Sequence, residues 1–216
     1  MTRPGSSADE EFPFYGGRVC LNLVATFGKR HSTAPVERLP NVAAVRRWLR
    51  AAGALPGQRD CPVDARRRES LIELREAIHR IVLAARAGRS LPADDLATVN
   101  SASAGPEFVP SLPRGRGGRG VTWTSSEPFA SALTLLARDA IDLVATVPAS
   151  RIKECEHPDC SRMFVDESQS GRRRWCSMQA CGNHVKVTAH RRRGATTAVS
   201  PDRRYRWSVR ATELPS

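Results

Sequence analysis

Long apolar runs are missing from this 216-residue chain, and aromatic residues and cysteines are few. No apolar stretch approaches the roughly 18 residues that a membrane helix needs. The first residues, MTRPGSSADEEFPFYGG, lack the apolar segment of a secretion signal. We therefore expect a cytoplasmic protein with no membrane partner. Hydrophobic residues still make up 40% of the chain, which is enough to bury a core.

The common catalytic and nucleotide-binding motifs are also absent. The sequence contains no nucleophile elbow, no P-loop and no dinucleotide-binding glycine pattern. Because no set of acid, base and nucleophile converges in the pattern, we expect that the protein is not an enzyme, and we predict no catalytic residue.

Apolar residues at spacings of three and four predict a mainly helical first part. The predicted helices begin and end at cap or breaker residues and run from Asn41 to Gly53, from Asp64 to Gly88, onward from Pro92, and from Ser126 to Pro148. The segment FYGGRVCLNLVATFG is predicted as a strand, because Val19, Leu21 and Leu23 alternate. FVPSL and GVTWTS flank a Gly/Arg-rich stretch and predict a hairpin. The expected fold class is α+β, mainly α with small β-strand pairs.

Four of the six cysteines form two C-x4-C pairs inside residues 155–184, namely Cys155, Cys160, Cys176 and Cys181. Two short pairs from separate segments are typical of a zinc ion held by four thiolates, and a closed shell of this kind is structural. Iron–sulfur binding and disulfides remain alternatives, and His157 or His184 could in principle replace a thiolate. Ser177 is predicted to cap a helix that carries Cys181 toward the metal.

Positive charge concentrates in the same region. Residues 151–216 hold 14 Lys/Arg against 7 Asp/Glu, and residues 172–193 contain seven basic residues and no acidic one. Such an excess is expected of a protein that contacts a phosphate backbone, although a solvated, solubilising surface has the same composition.

The region RIKECEHPDCSRMFVDESQSGRRRWCSMQACGNHVKVTAHRRR closely resembles the CGNR zinc finger family. That family combines two cysteine pairs with a Phe-x-Asp-x-Ser segment, basic residues before Trp-Cys-Ser-Met, and Cys-Gly-Asn-Arg followed by Lys. The matching residues here are Phe164, Asp166, Ser168, Trp175, Ser177, Met178, Gly182, Asn183 and Lys186. His184 stands where the family has arginine, which would make a contact at this position pH-sensitive.

The first part resembles the ABATE domain that usually precedes this finger. The resemblance rests on Gly16-Gly17 before LNLVATF, on LPNVAAVRRWLRAAGAL and on LIELREAIHRI, with Ala25-Thr26 where the family commonly has Asn-Thr. The expected divisions are a disordered amino terminus (1–12), a mainly helical ABATE-like domain (13–150), a small treble-clef-like CGNR-type zinc module (151–195) and a basic tail (196–216). The resemblance implies a stress-linked transcription regulator that binds DNA.

The expected partner is DNA, contacted by a basic surface of the zinc module. The residues predicted to contact it are Arg172, Arg173, Arg174, Asn183, His184, Lys186, His190, Arg191, Arg192 and Arg193. An RNA- or ribosome-associated role is the alternative, since Trp175, Tyr205 and Trp207 offer stacking surfaces among arginines. The first domain is expected to dimerise or to receive a small-molecule signal, and Arg18, Asn22 and Arg75 are the candidates for a sensor site, with the ligand unknown.

Overall fold

The structure is a computed structural model that describes residues 12–57, 61–113 and 120–183. In this part of the chain the fold is α+β and mainly helical, as predicted. The helices are α1 (Val19–Val24), α2 (Val42–Ala51), α3 (Ala65–Arg86), α4 (Ala93–Ser103) and α5 (Pro128–Thr146). No helix of the described residues is long and apolar enough to cross a membrane.

Three short antiparallel strand pairs accompany the helices in the described part. They are β1 (Phe27–Gly28) with β2 (Val36–Glu37), β3 (Val109–Ser111) with β4 (Thr122–Thr124), and β5 (Ile152–Glu154) with β6 (Met163–Val165). The second pair is the hairpin predicted around the Gly/Arg-rich stretch, whose residues 114–119 lie outside the described residues. A 3-10 turn (Ala149–Arg151) and a π-helical turn (Met178–Gly182) complete the elements.

The caps of α2 and α3 confirm the predicted starts of these helices. The side chain of Asn41 accepts a hydrogen bond from the Ala44 N–H at 2.9 Å, and that of Asp64 accepts one from Arg67 N–H at 2.7 Å. Each carboxylate or amide oxygen satisfies a backbone donor that the helix itself leaves unpaired. Along α3, the predicted apolar stripe of Leu71, Leu74, Ile78 and Ile81 is buried.

The strand prediction for residues 19–24 is wrong, because this segment is the helix α1. Period-two alternation of Val19, Leu21 and Leu23 indicated a strand, but the residues between them include Cys20, which is also buried. A short segment buried on several sides gives no reliable periodicity. The Cys20 N–H lies in the first turn and has no partner within the helix; it donates to Asp139 Oδ2 at 2.8 Å. A carboxylate from α5 therefore caps α1 in place of a local side chain.

A buried charge network fixes the β1–β2 pair to α3. The Arg75 guanidinium is 2% exposed and makes two 2.8 Å hydrogen bonds to the Glu37 carboxylate. It also donates to Glu76 at 2.7 Å, and Arg30 binds the same Glu76 carboxylate at 2.7 Å. Burying these charges is tolerable because each guanidinium is paired and hydrogen-bonded.

The segment after residue 150 packs directly on the helical domain. Ile152, Met163 and Val165 belong to the same apolar core as the helices. The Val165 N–H donates to Gly16 O at 3.0 Å, and Gly17 lies against the same residue in a left-handed conformation (φ 76°). Phe12, the last residue of the segment predicted to be disordered, is also buried. The domain boundaries and the treble-clef form of the module stay predictions.

Candidate metal centre

The four paired cysteines converge on one point. Their Sγ atoms all lie within 4.8 Å of one another, with Cys160–Cys176 at 3.9 Å and Cys176–Cys181 at 3.6 Å. A tetrahedral zinc with bonds of about 2.3 Å holds its sulfurs about 3.8 Å apart. The observed spacing therefore fits a single zinc ion.

Short turns place each thiol. Cys155 follows β5 directly, and its N–H donates to Arg162 O at 2.9 Å, which continues the β5–β6 pairing into the loop that holds Cys160. Ser177 Oγ accepts from the Ala180 N–H at 3.2 Å, which confirms the predicted cap of the turn that carries Cys181. His157 accepts a hydrogen bond from the Asp159 N–H through Nδ1 and is not a member of the cluster.

The four thiols lie so close together that several of them cannot ionise at once unless a cation balances their negative charges. Hydrogen bonds from the Cys160 and Cys176 thiols lower the pKa of Cys155. Burial, together with the charges of Cys176 and Cys155, raises the pKa of Cys181 to about 12. A divalent cation reverses this repulsion, because thiolates that coordinate a metal are stabilised as anions. Arg162, whose Nη1 lies 3.6 Å from Cys176 Sγ, adds positive charge beside the cluster.

The loop between the two cysteine pairs is closed by Asp166. Its Oδ1 accepts from the Ser168 hydroxyl at 2.6 Å, and its Oδ2 accepts from the Arg173 N–H at 2.8 Å and lies 3.1 Å from Lys153 Nζ. The Ser168 hydroxyl first, then the Arg173 N–H and Lys153, lower the pKa of Asp166 against the effect of burial. These contacts explain the Phe-x-Asp-x-Ser segment: the acid and the serine set the loop, while Phe164 packs against the thiols.

The three consecutive arginines have different surroundings. Arg173 donates from Nε to Trp175 O at 2.8 Å and from Nη2 to Cys176 O, and its guanidinium lies 4.6 Å from the Phe164 ring centroid. Arg174 pairs with Glu156 at 2.6 Å and covers the Trp175 ring. Arg172 is exposed and has no hydrogen bond or ion pair with the described residues. Arg173 thus supports the metal loop, and Arg172 presents its charge outward.

The other predicted nucleic-acid contacts are described only in part. Asn183 is exposed at the end of the π-helical turn. The remaining predicted contacts lie outside the described residues; they are His184, Lys186, His190, Arg191, Arg192 and Arg193.

Each of the predicted sensor residues of the first domain has a partner within the fold. Arg18 binds Asp139 at 2.8 Å and Asp142 at 2.6 Å, and Asn22 Oδ1 accepts from the Gly16 N–H at 2.9 Å. Arg75 lies in the buried network with Glu37 and Glu76.

Sequence reasoning missed two supporting residues of the centre. Tyr15, from the helical domain, packs against the thiol cluster, and Arg162 lies over its ring at 5.7 Å. Nothing in the spacing of the cysteines points to Tyr15, since it is 140 residues away from Cys155. Arg162 does carry a signal, because a cation two residues after a metal-binding cysteine suits a negatively charged centre.

Fold and site together define a helical domain joined to a four-cysteine zinc module, in which zinc is the structural metal. Residues 17–147 match the family model ABATE, described as "Putative stress-induced transcription regulator", and residues 151–194 match the CGNR zinc finger. The chain belongs to the ABATE family and carries a CGNR zinc finger. No curated protein matches the chain.

Proposed function

We propose that this protein is a DNA-binding transcription regulator in which zinc orders a basic surface that contacts the phosphate backbone. The observation that carries the proposal is the exposed Arg172, four residues before Cys176 of the four-thiol cluster, within a stretch of seven basic and no acidic residues over 172–193. A loop held by a metal presents its arginines on an ordered backbone, and guanidinium groups match phosphate oxygens in bidentate geometry. The closed thiolate shell leaves no open coordination position, which favours a folding role for zinc over a catalytic one.

The described contacts give the three consecutive arginines different roles in this proposal. Arg172 is the first phosphate contact, since no carboxylate of the described residues competes for it. Arg174 is the second, because its surface ion pair with Glu156 contributes little energy and exchanges readily for phosphate. Arg173 holds the carbonyl oxygens of Trp175 and Cys176 and so positions its neighbours. Asn183 and the basic residues after it extend the surface.

Salt dependence of DNA binding tests this proposal. Neutralising about six phosphates gives a log–log slope of affinity against salt near −5. Replacing Arg172 by Gln should weaken binding to any duplex sequence alike and should make the slope shallower by about 0.9, because one phosphate contact is lost. Fluorescence anisotropy of the zinc-loaded full chain on a random-sequence duplex, at several salt concentrations, measures both quantities.

Arg89→Gln is the matched control, because it removes the same charge from an exposed position on the helical domain. It should leave the slope unchanged. An equal effect of both substitutions would show that only net charge matters, and the absence of salt-dependent binding would contradict the proposal. Competition with structured RNA of equal length distinguishes DNA binding from the RNA-associated role. If RNA displaces the labelled duplex at a lower concentration than unlabelled duplex does, the RNA-associated role is favoured.

A further inference from the structure

The helical domain contains a cavity whose walls include none of the four paired cysteines. This cavity of about 470 Å³ opens between the loop after α2, the β3–β4 hairpin and α5. Its walls include the side chains of Phe108, Trp123 and Leu135. A concave space of this volume with aromatic and aliphatic walls is typical of small-molecule sites.

The polar groups of the wall are already satisfied within the protein. Ser131 Oγ lies 2.8 Å from Ser125 Oγ, and Thr134 Oγ1 lies 3.1 Å from the carbonyl oxygens of Ala102 and Ala130. These hydroxyls therefore do not need a hydrogen bond from a ligand, and the cavity wall behaves as an apolar surface. Apolar ligands gain most in such a space, because removing their apolar surface from water is favourable and no polar group of the ligand has to give up its hydrogen bonds to water.

Among the described residues that line the cavity, charge is present only as the pair of Arg138 and Glu107. Arg138 donates to Ser103 O at 2.9 Å and pairs with Glu107, and both side chains are about half exposed or more. An ionic ligand would have to compete with the opposite charge already in place. The site thus favours an uncharged molecule over an anion or a cation.

One wall of the cavity is a two-stranded hairpin whose six strand residues are all exposed. An isolated pair of strands is marginally stable, so this wall can adjust to an occupant. Its distance from the loop after α2 is set by Gly57, where a Cβ would come within 3.1 Å of Trp123 O. The opposite wall is α5, whose residue Asp139, next to Arg138, holds Arg18 and the start of α1.

We propose that this cavity binds an uncharged, ring-containing apolar small molecule, with Trp123 and Phe108 against its ring and Leu135 at its side. The proposal does not depend on DNA binding. It places an effector site on the helical domain whose lining does not include Arg18, Asn22 or Arg75.

The experiment uses the neutral fluorescent probe N-phenyl-1-naphthylamine with the zinc-loaded full chain. An uncharged probe avoids simple attraction to a chain of net charge +12. We expect saturable binding of one probe per chain. Leu135→Trp fills the cavity and should weaken binding at least tenfold, whereas Ile141→Trp, at an exposed position on the same helix, should leave it within twofold of the native chain.

Trp123→Phe keeps an aromatic wall but removes the indole that lines the cavity. Energy transfer from tryptophan to the probe should therefore fall while affinity stays within about threefold. If circular dichroism shows that Leu135→Trp is unfolded, the Trp123→Phe variant tests the proposal in its place. Absence of saturable binding, equal binding to the two tryptophan-insertion variants, or unchanged energy transfer in Trp123→Phe would each overturn the proposal.

Discussion

Replacing Phe164 by Ala tests whether zinc binding and folding of the module are one process. Phe164 is fully buried, packs among Cys155, Cys176 and Cys181, and lies under the Arg173 guanidinium. In the described part of the chain it is the only large, fully buried apolar side chain of that cluster. So small a core cannot hold a fold without the metal, and we expect the module to form only with zinc.

The size of the effect follows from this coupling. Removing a buried phenylalanine side chain costs about 3–5 kcal/mol, from lost burial and the cavity left behind. When folding requires the metal, that cost appears as weaker metal binding, at about 1.4 kcal/mol for each tenfold change. Phe164→Ala should therefore weaken zinc binding by roughly a hundredfold to several thousandfold, without any change to a zinc ligand.

Competition with a chromophoric chelator measures the zinc affinity of each variant. Phe129→Ala is the matched control, because it makes the same change at a buried position on α5 of the helical domain. It should lower the thermal midpoint of unfolding and leave zinc affinity within a few-fold of the native chain. If Phe164→Ala lowers the thermal midpoint but changes zinc affinity by less than tenfold, the module folds without its metal and the reasoning fails.

Two more predictions concern the charged contacts. Burial opposes ionisation of Glu37, but hydrogen bonds from Arg75 and the Leu39 N–H outweigh it and lower its pKa. The stability that this carboxylate adds is present above its unfolded pKa and is lost as pH falls through the folded value, so urea unfolding between pH 6 and 3 should show a steeper loss for the native chain than for Glu37→Gln. Arg173→Lys should release zinc to a chelator about tenfold faster, because lysine cannot bind both carbonyl oxygens and cover Phe164. Arg172→Lys should release it at the native rate.

Features encoded over a few residues could be predicted from the sequence. Asn41 and Asp64 cap helices because each reaches an N–H three residues ahead. The four cysteines likewise predict the metal site from their spacing, since each pair spans one short turn. In both cases the partners are close in sequence, so spacing alone carries the geometry.

Features that depend on distant partners could not be predicted. The amino end of α1 is satisfied by Asp139, 119 residues away, and this contact replaces the local cap that a sequence reading looks for. The three arginines look equivalent in the sequence and all are exposed, yet the folded loop brings carbonyl oxygens and the Phe164 ring to Arg173 and gives Arg172 no partner among the described residues. Electrostatic roles of this kind are set by the tertiary environment of each residue.

The contacts on either side of the first cysteine pair show what zinc adds to the whole molecule. Glu154, which precedes Cys155, binds His31 at 2.8 Å and Arg86 at 3.2 Å, and Ser161, which follows Cys160, accepts from the Arg30 N–H at 2.9 Å. These contacts therefore tie the first cysteine pair to the helical domain in addition to any bonds to the metal.

The second pair is held differently. The hydrogen bonds and ion pairs found for Arg173 and Arg174 in the described residues run to other parts of the zinc module. Four metal–sulfur bonds would thus join a segment anchored on the helical domain to the segment that bears the arginines. Those bonds would add to the contacts that already join the two segments, namely the Arg174–Glu156 ion pair at 2.6 Å and the hydrogen bond from the Glu156 N–H to Arg174 O at 3.0 Å, and together they hold the arginine-bearing segment against the first cysteine pair.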